Sequence, residues 1–232
     1  MERIELYSAN VCPYAHRTRL VLLEKGIDFD SIAIDLNNKP AGFAEVSPYL
    51  KVPALKYKSD RVWESAVINE YLEEVFPDPP LMPADPGKRA LARIWIDFAN
   101  TKFTVSFYKL LLAQDPQEQQ HWREEFLSQL RFAETEGIGK LSADEGPYWL
   151  GSSVSLIDLT FYPWFERWPV LTYYRNVEFP EECVRLKQWW VAMESRPSAN
   201  AIRNSTGFYL KDYEKYANGT ADSISAREMR QV

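Results

Sequence analysis

Cys12 is the residue of this sequence best suited to covalent chemistry. It is one of two cysteines among 232 residues, and it lies directly before Pro13, where a helical pattern begins. Unpaired N–H groups and the positive end of the helix dipole favour an anion at such a position. Helix N-termini also lower the pKa of a thiol from its usual value of about 8.5. We therefore interpret Cys12 as a reactive thiol and not as an inert packing residue.

The residues around Cys12 determine which thiol chemistry is open to it. A Cys-x-x-Cys dithiol would carry its second cysteine at position 15, where this chain has Ala15. Cys183 lies far along the chain in a helical pattern, and we interpret it as a packing residue. A mixed disulfide formed at Cys12 would therefore need an external thiol to release it. The sequence predicts a monothiol mechanism that uses a small thiol such as glutathione.

The two histidines offer little further chemistry. His16 follows Cys12 by four residues and could share its helix face as a base, but we expect a surface histidine that points to solvent. His121, in a charged stretch, is expected on a solvated face. Two histidines and two cysteines without ligand spacing predict no metal site.

Glu64 and Ser65 join a predicted strand to a predicted helix. Ser65 is a natural N-cap residue, and that role alone would explain it. The N-terminus of a capped helix also binds a carboxylate through its free N–H groups, while Glu64 could pair with an ammonium group. The two residues could therefore hold the charged ends of an amino acid, such as the γ-glutamyl group of glutathione.

The elements that must position these residues occupy positions 1–76. Alternating apolar residues predict strands at 4–7, 29–34, 52–57 and 61–63, and longer periods predict helices at 15–25 and 65–76. The order βαβ, a further helix and ββα is that of the thioredoxin fold. Pro53 fits this order as a cis proline at the start of the third strand.

The remainder of the chain reads as helical. Residues 77–86 contain five prolines and predict a linker. We assign residues 87–214 to an all-helical domain and 215–232 to a flexible polar tail. Ser155 and Asp158 form a predicted capping box before an apolar run. The fold class is thus α/β plus all-α, with an N-terminal thioredoxin-like domain.

Composition narrows the partners. A net charge of −6 disfavours nucleic acid as a ligand, and no apolar run is long enough to span a membrane. The alternation that begins within the first seven residues leaves no place for a signal peptide. Two cysteines so far apart in the sequence also make a poor disulfide framework, which together with the absence of a signal peptide predicts a cytoplasmic protein.

These residues together resemble the cytosolic glutathione transferases, most closely the omega class and its lambda-like relatives. The resemblance rests on Leu6-Tyr7-Ser8 before Cys12-Pro13-Tyr14-Ala15, on RTRLVLLEKG at 17–26, on Asn38-Lys39-Pro40, on Lys51-Val52-Pro53, and on Glu64-Ser65 through Glu70-Tyr71-Leu72. It spans nearly the whole chain up to about residue 210.

The resemblance implies roles for several residues. Cys12 would be the catalytic thiol that forms a mixed disulfide with glutathione, the co-substrate. The glutathione-binding residues would be Tyr14 beside the sulfur, Lys39 near the glycyl carboxylate, Val52 and Pro53 at the cysteinyl amide, and Glu64 and Ser65 at the γ-glutamyl end. His16 stands where the family usually carries Gln or Glu, so it inherits no role.

Two further questions stay open at the level of sequence. Aromatic residues of the helical domain are candidates either for its core or for a hydrophobic substrate site; they are Tyr108, Trp164, Phe165 and Trp168. Omega-like proteins tend to be dimers and lambda-like ones monomers, so a homodimer is one of two expected states.

Three functions fit these observations. The first is a glutathione-dependent thiol transferase or reductase acting on glutathionyl disulfides, dehydroascorbate, thioketones or aryl conjugates. The second is a conjugating transferase in which the hydroxyl of Tyr7 or Ser8 activates bound glutathione. The third is a protein that binds glutathione or another ligand without turnover.

Overall fold

The structure is a computed structural model that describes residues 3–142 and 146–231. The chain divides into two compact units, Met1–Pro83 and Ala84–Val232. Across the described residues, no helix combines the length and the apolarity needed to cross a bilayer.

The first unit is built on a four-stranded sheet. Its elements are β1 (Ile4–Ser8), α1 (Pro13–Glu24), β2 (Phe29–Ala33), α2 (Phe43–Val46), β3 (Ala54–Tyr57), β4 (Asp60–Trp63) and α3 (Ser65–Val75). The strand order is β2-β1-β3-β4; β1 pairs with β2 in parallel, and the other two pairings are antiparallel. The parallel pair follows from the crossover through α1. The predicted thioredoxin-like fold is confirmed.

Helix α1 is buried on nearly every side, and this overturns one expectation. His16 is 0% exposed, whereas we predicted a surface histidine. A single solvated face is expected of a helix at the edge of a domain, but α1 buries the whole run from Ala15 to Leu22. The polar side chains within that run must therefore find partners inside the protein.

A buried ion pair holds the proline-rich segment against the first unit. The Lys25 ammonium lies 2.6 Å from the Glu73 carboxylate and donates to the carbonyl oxygens of Phe76 at 2.8 Å and Pro79 at 2.9 Å. The same carboxylate accepts hydrogen bonds from the backbone N–H groups of Leu81 and Met82, each at 3.0 Å. Residues 76–82 are thus anchored by two side chains, that of Glu73 in α3 and that of Lys25, which directly follows α1.

The described part of the second unit is built from helices joined by loops. Its helices are α4 (Pro86–Phe98), α5 (Thr104–Leu112), α6 (Pro116–Phe132), α7 (Gly139–Leu141), α8 (Leu156–Glu166), α9 (Trp168–Arg175), α10 (Val184–Glu194), α11 (Pro197–Ile202), α12 (Thr206–Ala217) and α13 (Ile224–Gln231). Two π-helical stretches, Ala99–Phe103 and Ala133–Ile138, continue α4 into α5 and α6 into α7. The helical C-terminal part of the fold class is confirmed.

The predicted capping box is present at the start of α8. One oxygen of the fully buried Asp158 carboxylate accepts from the Ser155 backbone N–H and hydroxyl, at 2.7 and 2.6 Å. The other oxygen accepts from the Trp149 backbone N–H at 3.0 Å and the Trp189 indole at 2.8 Å. Burial raises the pKa of this carboxyl group, and the four hydrogen bonds oppose that shift.

We predicted a flexible polar tail from residue 215 onward, whereas the structure has helices in this segment. Helix α12 continues to Ala217, and α13 follows it and packs against α5. The Ser223 hydroxyl accepts from the Ala226 N–H at 3.1 Å, and Ala226 is fully buried. The same helix also carries Ile224 and Met229, which are half-buried, and its otherwise polar composition hides this packing from the sequence.

Arg175, the last residue of α9, meets the ends of two other helices of the second unit. Its guanidinium donates to the carbonyl oxygens of Leu110, Leu111 and Ala113 at the end of α5, and of Ala217 at the end of α12. Carbonyl groups at the end of a helix lack partners within that helix, and the negative end of the dipole favours a cation. Arg175 therefore satisfies several helix ends with one side chain.

Candidate active site

Cys12 lies at the start of α1, as predicted. It is the N-cap residue of that helix, with Pro13 in the first turn and no acidic side chain in that turn. A short turn brings it there from β1, closed by a hydrogen bond from the Cys12 N–H to the Ala9 carbonyl at 3.0 Å. The side chain is half-buried, so the thiol is accessible to a small molecule.

Val52, two residues before β3, completes the surroundings of the thiol. The Cys12 sulfur lies 3.6 Å from the carbonyl oxygen of Val52. The peptide bond between Val52 and Pro53 is cis, which confirms the predicted isomer. Val52 also packs with Ala9 and Ala15 in the small apolar cluster against which Cys12 rests. The apolar cluster shields one side of the sulfur and leaves the Val52 backbone beside it.

Glu64 and Ser65 lie at the start of α3, as predicted. Glu64 is exposed and adopts φ 68° and ψ 116°, a conformation that costs a non-glycine residue about 1–3 kcal/mol. Ser65 is 5% exposed. The first turn of α3 contains no acidic side chain, so its N–H groups and dipole present positive potential.

Arg17 connects two of the predicted glutathione-binding residues, and sequence reasoning missed it. Its guanidinium is 1% exposed, donates to the Ser65 hydroxyl oxygen at 3.4 Å and lies 5.2 Å from the centre of the Tyr14 ring. The only signal in the sequence was the arginine itself, five positions after Cys12. Tyr14, Arg17 and Ser65 thus form one continuous contact chain from α1 to α3.

The hydroxyl groups at the end of β1 are engaged or enclosed. The Tyr7 hydroxyl donates to the Glu5 carboxylate at 2.9 Å. Burial raises the pKa of Tyr7, and the hydrogen bond and negative charge of Glu5 raise it further. Ser8 is 2% exposed, and its hydroxyl has no hydrogen-bond partner among the described residues.

The remaining predicted site residues differ in exposure. Lys39 is half-buried in the loop between β2 and α2. The four aromatic candidates are all buried in the second unit, with exposures of 0–5%; they are Tyr108, Trp164, Phe165 and Trp168. Phe165 and Trp168 pack against each other, with ring centres 5.9 Å apart. Their role in a substrate site stays a prediction.

The second cysteine and the second histidine lie where they were expected. Cys183 is fully buried, and burial and then the nearby Glu134 raise the pKa of its thiol to about 11. His121 is exposed and packs on Trp122. In the described parts of the chain, no three His, Cys, Asp or Glu side chains gather where they could hold a metal ion.

Fold and site together define a class of protein: a thioredoxin-like unit with a single thiol at the start of its first helix, followed by a helical unit. A sequence family described as "Glutathione S-transferase, N-terminal domain" matches residues 11–75. The chain is 32% identical to glutathione S-transferase omega-1 of Sus scrofa over 204 residues, which cover 86% of this chain and 80% of the relative. The omega-1 enzyme of Mus musculus is 31% identical, covering 93% and 85%.

Solved structures agree with these relatives. Glutathione transferase Omega 3C from Trametes versicolor superposes with a TM-score of 0.83 at 30% identity, covering 94% of this chain and 91% of that one. A Tau class glutathione S-transferase from mango, at 24% identity and a TM-score of 0.86 over 93% and 99%, shares the fold. The chain belongs to the glutathione transferase family and is similar to its omega class. Glutathione is the co-substrate of that family.

Proposed function

We propose that this protein is a glutathione-dependent thiol transferase or reductase in which Cys12 forms a mixed disulfide with glutathione. One observation carries the proposal: the half-buried Cys12 lies at the N-terminus of α1, and its sulfur is 3.6 Å from the Val52 carbonyl oxygen, beside a cis proline. A thiol in that place is accessible, and the helix end favours its anion.

The reaction is two successive thiol–disulfide exchanges. The Cys12 thiolate attacks the glutathionyl sulfur of a mixed disulfide, forms a new S–S bond and releases the substrate thiolate. The thiolate of a second glutathione then attacks the glutathionyl sulfur on Cys12. Oxidised glutathione leaves, and the Cys12 thiolate is restored. Each step breaks one S–S bond and forms one, so the cycle needs no other oxidant or reductant.

Ala15 is the reason that a second glutathione is needed. It is fully buried in the apolar cluster beneath Cys12, at the position where a resolving cysteine would stand. Cys183 cannot substitute, because its thiol is fully buried and burial raises its pKa to about 11, which keeps it protonated. The adduct on Cys12 therefore persists until a soluble thiol removes it.

Glutathione would be held by the residues that the family resemblance assigns. The backbone of Val52 would meet its cysteinyl amide, and Lys39 its glycyl carboxylate. Glu64 and Ser65 would hold the γ-glutamyl end, where the start of α3 presents positive potential. Substrates would be glutathionyl mixed disulfides, dehydroascorbate or related small molecules. A homodimer, a cytoplasmic location and a hydrophobic pocket in the second unit remain part of this proposal.

The conjugating alternative finds less support. A hydroxyl that activates glutathione must donate to its thiolate, but the Tyr7 hydroxyl donates to Glu5 and has a raised pKa. Ser8 is buried. Conjugation of chlorodinitrobenzene that depends on Tyr7 and is unaffected by Cys12→Ala would favour the alternative.

Intact-mass measurement after incubation with oxidised glutathione tests the proposal. The wild type and Cys183→Ala should each gain one glutathione-sized adduct, and Cys12→Ala should gain none. In Ala15→Cys the new thiol should resolve the adduct within the protein and lower its yield. The proposal fails if the wild type gains no adduct or if Cys12→Ala keeps it. Calorimetric binding of glutathione without any adduct would instead support a ligand-binding protein without turnover.

A further inference from the structure

Arg19 holds the turn that carries Cys12. Its guanidinium donates to the side-chain oxygen of Asn10 at 2.7 Å and to the Asn10 backbone carbonyl at 3.2 Å. Asn10 belongs to the turn between β1 and α1, which the Cys12 N–H closes on the Ala9 carbonyl. One buried cation therefore holds both the side chain and the main chain of a residue two positions before the reactive thiol.

Helix geometry explains how Arg19 reaches this turn. It follows Cys12 by seven residues, which is close to two helical turns, so the two residues lie on the same side of the axis of α1. Helical side chains tilt toward the N-terminus of their helix, and the long arginine side chain extends back along α1 to Asn10. Arginine stays protonated in proteins, so both donors are present at every working pH.

A buried arginine does more for this turn than its stability requires. Asn10 is exposed, so water could satisfy its side chain in place of Arg19. Arg19 is only 5% exposed, and burying a charge is costly unless the charge is paired or hydrogen-bonded. What the guanidinium adds is rigidity, because its planar fork holds two acceptors of one residue in a defined geometry.

Disulfide exchange at Cys12 depends on such rigidity. The Cys12 thiolate attacks one sulfur of a bound disulfide, a new S–S bond forms, the old one breaks, and the other sulfur leaves as a thiolate. The attacking sulfur must approach in line with the bond that breaks, so a small misplacement slows the reaction strongly. The Cys12 sulfur lies beside Val52, which belongs to another segment, and its place there depends on where the turn holds Cys12.

We propose that Arg19 is a positioning residue for disulfide exchange at Cys12: through Asn10 it holds the turn so that the sulfur meets a bound disulfide in line. This proposal rests on the proposed function, in which Cys12 forms an adduct with glutathione. Arg19 acts through the turn and takes no chemical part in the exchange.

The test follows the Cys12 adduct over time at several concentrations of oxidised glutathione, by rapid quenching and intact mass. The saturating rate reports positioning within the complex, and the half-saturating concentration reports binding. Arg19→Met keeps the length of the side chain and loses both donors. It should lower the saturating rate about tenfold and leave the half-saturating concentration within about twofold of wild type. Asn10→Ala loses only the side-chain acceptor and should lower the saturating rate about threefold.

Three further variants separate positioning from general damage to α1. Arg19→Lys keeps a charged donor group and should return the saturating rate to within about threefold of wild type. The double variant Arg19→Met/Asn10→Ala should be no slower than Arg19→Met, because the Asn10 side chain acts through Arg19. Thr18→Val removes a neighbouring tether, the 3.0 Å hydrogen bond from the Thr18 hydroxyl to the Asn69 side chain, and should keep the wild-type rate.

Alkylation by iodoacetamide distinguishes positioning from a change in the thiolate itself. This reagent reacts from solution and needs no alignment with a bound disulfide, so its rate at Cys12 should stay within about twofold of wild type in Arg19→Met. Should Arg19→Met fail to fold, Asn10→Ala decides the question, because Asn10 is exposed and Arg19 stays in place.

The proposal is overturned if Arg19→Met slows alkylation and adduct formation equally, or if Thr18→Val is as slow as Arg19→Met. It is also overturned if either Arg19→Met or Asn10→Ala keeps the wild-type saturating rate. Wild-type protein that forms no adduct would overturn the proposed function and this proposal together. Wild-type protein that forms the adduct, with an unchanged saturating rate in Arg19→Met, would overturn this proposal alone.

Discussion

Replacing Lys25 by methionine should destabilise the first unit severely. The Lys25 side chain is fully buried, and its ammonium uses all three donors, on the Glu73 carboxylate and on the carbonyl oxygens of Phe76 and Pro79. Methionine fills similar space but satisfies none of these acceptors. Removing one partner of a buried ion pair costs about 3–5 kcal/mol, because the other charge remains buried.

The surroundings of Glu73 narrow the range expected for the loss in free energy of unfolding. Its side chain is 13% exposed and keeps the N–H groups of Leu81 and Met82 as donors, so the carboxylate is left partly compensated. We therefore expect a loss near the lower limit, about 3 kcal/mol of the free energy of unfolding. The double variant Lys25→Met/Glu73→Gln should lose less than the sum of the two single variants.

The assay must report on the first unit specifically. Seven of the eight tryptophans lie in the second unit, and only Trp63 lies in the first. Hydrogen exchange of peptides that span β1 and β3, followed in increasing urea, is therefore the suitable measurement. Lys56→Met is the matched control, because the pair between Lys56 and Glu5 is open to solvent at 3.6 Å and should contribute under 1 kcal/mol. Equal losses in Lys25→Met and Lys56→Met would refute the reasoning.

Three further predictions concern other parts of the chain. In native protein at pH 8, iodoacetamide should label Cys12 and leave Cys183, whose pKa of about 11 keeps it protonated; mass mapping that finds early label on Cys183 would contradict this. Asp158→Asn should lower the free energy of unfolding by about 2–4 kcal/mol, because an amide nitrogen cannot accept two of the four hydrogen bonds; tryptophan fluorescence in urea measures it, and a neutral outcome would show that the capping box is dispensable. Arg175→Met should accelerate amide exchange at the ends of α5 and α12 while leaving α10 unchanged, and uniform acceleration would argue against a local role.

Much of the first unit could be predicted because its signals are local. Apolar alternation located the strands to within one or two residues, and the βαβ order required a parallel pair. The cis proline before β3 and the N-terminus of α1 are each indicated by two adjacent residues, Val52-Pro53 and Cys12-Pro13. Such features can be predicted without knowing which residues pack against them.

The errors occurred where burial depends on distant contacts. His16 and Arg17 are polar residues in a helix, and nothing in the neighbouring sequence shows that α1 is enclosed on nearly all sides. The contact between Arg17 and Ser65 joins residues 48 positions apart, so no local pattern could predict it. Helix α13 was missed for the same reason, since a few apolar residues, of which Ala226 is fully buried, lie in an otherwise polar segment that packs against α5.

The anchoring of the proline-rich segment also bears on how the chain is made. Lys25, Glu73 and every carbonyl and N–H group that they hold lie before residue 83. Once that residue has cleared the ribosome, the nascent chain contains both members of its buried ion pair and every strand of its sheet. We therefore expect the first unit to form its sheet and this ion pair while the helices that follow are still being translated.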